Sequence, residues 1–160
     1  MTITLNHTIV PARDKVAAAK FFARIFGLKR ARTGHFAPVR VNKELTLLFD
    51  DESDFGSHHL AFHVSDRDFD AILGRVKKAK IVFGSAPWSL EDGKLNNWGG
   101  GRGFYFRDPN GHVLELMTVA QWGLRRCSNR DRRRENARPR QALRWRRGLR
   151  DRRRENARSV

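Results

Sequence analysis

The chain has 160 residues, room for one domain and a short appendage. Lys and Arg number 33 against 17 acids, but the excess is uneven: residues 121–160 hold 16 Arg, no Lys and only Asp131, Glu135, Asp151 and Glu155, whereas residues 1–120 hold eight Lys and nine Arg against 13 acids. A lone cysteine, Cys127, excludes an intrachain disulfide and a Cys-rich zinc site. No apolar run reaches the roughly 18 residues of a membrane span, so the expectation is an unprocessed cytoplasmic protein with a domain over residues 1–120 and a tail over residues 121–160.

Leu5 to Val10 reads as a strand, followed by Pro11, by Asp14 as a helix cap, by the helical run KVAAAKFFARIF, and by Gly27 where a helix-ending glycine belongs. Strand-like runs follow at Lys29 to Thr33, Phe36 to Val41 and Leu45 to Phe49. The layout then returns. Leu60 to Val64 is a strand, Asp66 a cap, and Phe69, Ile72, Leu73 and Val76 mark one face of a helix; further runs lie at Ile81 to Phe83, Gly103 to Arg107 and Val113 to Val119. His7 and His59 stand 52 residues apart, as do Asp14 and Asp66, which identifies an internal repeat. Each half reads β-α-β-β-β, an α+β fold. Asp108-Pro109-Asn110-Gly111 predicts a tight hairpin between the last two strands, because Pro presets φ and Gly accepts a positive one.

Alternation assigns faces. Leu60, Phe62 and Val64 oppose His59, Ala61 and His63; Phe104 and Phe106 oppose Tyr105 and Arg107; Leu114 and Leu116 oppose Val113, Glu115 and Met117. The apolar faces must pack on the helices, leaving a second face of His, Tyr, Glu and Arg that implies a water-accessible pocket. Any one of its polar residues is well explained as a satisfied interior group. Together His7, His59 and Glu115 are two imidazoles and a carboxylate, a ligand set for a divalent metal with positions left open. His63 follows His59 by four residues, which in a strand is ~13 Å, too far to share one ion; it reads as pocket lining. His35, His58 and His112 read as turn or outward-facing residues. Arg40, between Val39 and Val41, is a candidate anion contact.

LNHTIV, HLAFHVSD and above all GFYFRDPNGHVLELM resemble the vicinal oxygen chelate superfamily, which includes glyoxalase I, extradiol dioxygenases, fosfomycin-resistance thiol transferases and bleomycin-resistance binding proteins. The resemblance covers roughly residues 3 to 119. It implies two βαβββ modules forming an open curved mixed sheet with helices outside, and a divalent metal (Mn, Fe, Ni or Zn) held by His7, His59 and Glu115. It implies a small oxygen-bearing substrate and a homodimer, with the ligands drawn from one chain or from two. The position matching a fourth glyoxalase ligand is Leu48, which points instead to the dioxygenase-like and thiol-transferase-like branches. Tyr105 falls where those transferases touch substrate.

The segment Asn96 to Gly103 lacks the Lys and Ser/Thr of a phosphate-binding loop; a flexible loop or lid, with Trp88 or Trp98 as apolar cover, is expected. The competing function is a metal-free binder of a small aromatic or cationic compound in the same cavity. In the tail, RDRRRENAR at residues 130–138 recurs identically at residues 150–158. Weak nucleic-acid binding through its charge, a marginal helix on an acidic or anionic surface, and an extension of no evolved purpose are its three readings.

Overall fold

Strand β1 (His7–Ala12) opens a computed structural model that describes residues 3–121. Pro11 is accommodated because β1 lies at a sheet edge. Asp14, in extended conformation, accepts the Ala17 N–H at 2.9 Å and so caps helix α1 (Lys15–Phe26), which ends at left-handed Gly27, φ 71°. Strands β2 (Ala37–Arg40) and β3 (Thr46–Asp51) complete a three-stranded sheet of order β1-β3-β2, with β1 parallel and β2 antiparallel to β3. The second half repeats the plan with β4 (His59–His63), α2 (Asp66–Lys78), β5 (Phe83–Gly84), β6 (Gly103–Arg107) and β7 (Val113–Met117), ordered β4-β7-β6-β5. In both modules the first strand lies parallel to the last.

The run Lys29 to Thr33 forms only an isolated bridge, Arg30 to Val39, instead of the expected strand. Pro38 explains it. Its carbonyl accepts the Ala31 N–H, so its own missing N–H would have been the reciprocal bond of the same pair. At α2 the cap is Ser65, whose hydroxyl accepts the Asp68 N–H at 3.2 Å; Asp66, expected as cap, is the first helical residue and pairs with Arg102. The expected strand at Ile81 to Phe83 is the two-residue β5, displaced toward Gly84. The Asp108 hairpin forms as expected: Gly111 takes φ 88°, and the Asp108 carboxylate accepts the N–H groups of Asn110 and His112.

One apolar face of each sheet packs on its helix, and the two modules share a core. Phe22 of α1 lies 5.8 Å from Phe49 of β3 and 5.6 Å from Phe62 of β4, ring centre to ring centre, and Phe26 lies 4.8 Å from Phe62. Polar bonds cross the same seam. Arg75 donates to the Ile25 carbonyl at 3.0 Å. His112, read from sequence as a turn or outward residue, is fully buried: Nδ1 accepts the His58 N–H at 3.0 Å and Nε2 donates to the Pro11 carbonyl at 2.8 Å, tying the second module's hairpin to the first module's opening strand. Among the described residues no helix is long and apolar enough to cross a membrane. The expectations placed on residues 122–160 lie outside the described residues.

Candidate metal centre

Counting outward from the Asp108 turn sets Tyr105 of β6 opposite Glu115 of β7, on the face away from the helices. On the other side of β7, β4 runs parallel with Ala61 opposite Glu115, which puts His59 one pleat away on that same face. Three side chains from three adjacent strands therefore converge. The Tyr105 hydroxyl donates to Glu115 Oε1 at 2.6 Å, and His59 Nε2 lies 2.9 Å from Glu115 Oε2.

Glu115 is 5% exposed, so an isolated carboxylate there would be costly; both of its oxygens are engaged. Tyr105 is equally enclosed, and Trp98 packs on its ring with centroids 5.9 Å apart. Burial first, then the hydrogen bond to Glu115 and its negative charge, raise the Tyr105 phenol above its usual range. The phenol therefore stays protonated and remains a donor. His59 keeps 45% of its side chain open to solvent, so the pair is closed on the Tyr105 side and accessible on the imidazole side.

Such a pair fits two corners of a metal site. Ligands with bonds of about 2.0–2.1 Å meeting at about a right angle are themselves about 2.9 Å apart, which is the separation of His59 Nε2 and Glu115 Oε2. Imidazole nitrogen and carboxylate oxygen are both donors to divalent metals once deprotonated. The third expected ligand is not beside them. His7 opens β1 of the other module, exposed, with Nδ1 against Asn6 Oδ1 at 2.9 Å. Among the described residues of one chain, no three His, Cys, Asp or Glu side chains gather as an ion requires. A single copy thus supplies two of the three expected ligands in one place.

The remaining candidates are placed as follows. His63 shares the face of His59 but its Nε2 meets the Thr118 carbonyl at 3.2 Å, closing the end of the β4–β7 ladder. Arg40 curls back on its own turn, donating to the carbonyls of Asn42 and Lys43. Trp98 is held at the entrance to β6: its backbone N–H donates to Asn96 Oδ1, and Asn96 and Gly103 bond backbone to backbone. Gly103 permits this approach, since a Cβ there would meet Asn96 Oδ1 at 2.6 Å. A concavity of about 470 Å³ lies elsewhere, along Arg13, Asp51, Glu52 and Ser53. It is a charged hollow in which the Asp51 carboxylate pairs with Lys15 and the Glu52 carboxylate accepts the Ser53 N–H. The bond between Tyr105 and Glu115 was missing from the sequence reading, although the hairpin turn already fixes which residues of β6 and β7 face each other.

Comparisons with known proteins agree with this fold. The solved structure of oxidase ChaP-H2 superposes with a TM-score of 0.73 and 42% identity, covering 77% of this chain and 98% of that one. Oxidase ChaP-H1 gives 0.72 and 39%, covering 76% and 100%. Metallothiol transferase FosB from Lysinibacillus sphaericus (strain C3-41) is 25% identical over 126 residues, 74% of this chain and 84% of that protein. Residues 4–116 match the sequence model described as Glyoxalase/Bleomycin resistance protein/Dioxygenase superfamily, so the chain belongs to that superfamily.

Proposed function

We propose that the chain is a metal-dependent oxidase or dioxygenase acting on a small substrate that presents two oxygen atoms to one divalent ion, with dioxygen as the electron acceptor. The observation that carries this reading is the buried Glu115 carboxylate, held by Tyr105 and paired with His59. Two relatives of 42% and 39% identity bear the name oxidase, and they span nearly the whole domain. His59 and Glu115 would hold the ion with His7, and His7 comes from a second copy of the chain in a homodimer. The ion supplies Lewis acidity toward the substrate's oxygens and, for iron or manganese, exchange of single electrons. The protein's own part is positional: Glu115 contributes the negative charge, Tyr105 fixes its orientation, and Trp98 shields the phenol side from water.

Metal analysis and oxygen uptake test this together. Chain loaded with Fe(II) or Mn(II) is expected to bind about one ion per chain and to consume oxygen with one member of a panel of catechols and related diols, and Glu115→Gln is expected to lose both. Less than about 0.1 ion per chain after loading would overturn the reading in favour of a metal-free binder. Thiol addition to an electrophile without oxygen uptake would place the chain with the transferases instead.

A further inference from the structure

The Tyr105–Glu115 bond controls more than the burial of a carboxylate. A carboxylate can offer one oxygen or both to an ion, and each choice changes how many positions remain. With two imidazoles and one carboxylate oxygen, about three positions of an octahedral site stay open, enough for a two-oxygen chelate and one more ligand; a second carboxylate oxygen removes one of these. In this chain the two oxygens are not equivalent. Oε1 faces the Tyr105 hydroxyl at 2.6 Å, inside the protein, and Oε2 faces His59 at 2.9 Å, toward the open side.

We infer that Tyr105 is a positioning residue that restricts Glu115 to single-oxygen ligation through Oε2, and so sets the number of open positions at the ion. The inference rests on the metal-centre reading above. Four features make the restraint stiff. Tyr105 and Glu115 are directly opposed in the β6–β7 ladder. Tyr105 is 2% exposed, so its hydroxyl does not exchange Glu115 for bulk solvent. Trp98 packs on its ring, held in turn through Asn96. The His59 ring lies 5.9 Å from the Tyr105 ring as well. Donating its proton to a substrate instead would require the Tyr105 hydroxyl to leave the carboxylate and strand a buried oxygen; while it holds Glu115 it can only accept.

The test compares wild type with Tyr105→Phe after loading each with Mn(II) alone. Electron paramagnetic resonance in oxygen-17 water counts the waters on the ion, and infrared spectroscopy with carbon-13-labelled glutamate separates the one-oxygen from the two-oxygen carboxylate. Wild type is expected to show the wide splitting of one-oxygen ligation. Tyr105→Phe is expected to keep its Mn(II), to show the narrow splitting, and to carry one water fewer. Two-oxygen ligation in wild type, or identical water counts and splittings in the two proteins, would overturn the inference while leaving the metal site standing. Failure of wild type to bind Mn(II) would instead remove the reading beneath it. Where Tyr105→Phe does not fold, Tyr105→Trp, which also lacks the hydroxyl, takes its place in the comparison, and two-oxygen ligation in wild type overturns the inference by itself.

Discussion

Glu115 and His112 are both polar residues enclosed by the fold, and their partners separate their roles. Each His112 ring nitrogen has a fixed backbone partner, one in each module, so the ring is a structural bolt. Glu115 has a fixed partner on one oxygen and a solvent-facing imidazole on the other, which is the asymmetry expected of a ligand. His112→Ala leaves the His58 N–H and the Pro11 carbonyl unpaired at a buried seam, and is expected to cost about 2–4 kcal/mol in urea denaturation; a loss below about 1 kcal/mol would mean that water replaces the ring. Alternation put His59, Tyr105 and Glu115 on one face because period two is a property of the strand itself. It said nothing of His112, which lies just past the turn, where no periodicity operates and burial is decided by packing against β1.

At the scale of elements, the repeat, both helices and the closing hairpin were legible because each depends on local chemistry: capping groups, helical spacing and a Pro-Asn-Gly turn. The failures were also local. Pro38 removes one ladder bond and with it a strand, and a serine one residue ahead of Asp66 takes the cap. The segment between β5 and β6, by contrast, is organised by Asp92, whose carboxylate accepts from the Ser85 hydroxyl and N–H, the Ser89 hydroxyl and the Lys94 N–H. The Ser85 hydroxyl foremost, then the Lys94 N–H, lower the Asp92 carboxyl from 3.8 to about 2. A carboxyl held low in the folded state contributes stability that is complete above 3.8 and is lost as pH falls toward 2. The amide resonances of Ser85 and Lys94 are therefore expected to titrate with a midpoint near 2 in wild type and to be flat in Asp92→Asn. A wild-type midpoint at or above 3.8 would contradict the assigned bonds.

At the scale of the molecule, the two modules end in sheet edges, β1 in one and β4 in the other. His7 opens β1, and the exposed apolar residues Ile3 at 87% and Leu5 at 64% precede it while Ile9 at 49% follows it. An exposed edge with apolar residues is a surface on which a second copy of the proposed homodimer would pair, and a two-fold pair would repeat the contact at both sites. Alternation assigns His7 to a strand face without showing which copy it would serve, because chain periodicity encodes faces, whereas the meeting of faces from different modules or copies depends on packing and assembly. The proposed homodimer predicts that metal sites complement between chains. The direct measurement mixes His7→Ala with His59→Ala, each metal-free alone, after dissociation and reassembly, and counts bound Mn(II). Sharing of ligands between copies predicts that mixing restores about one site in four, whereas a mixture as empty as its two components would contradict the account.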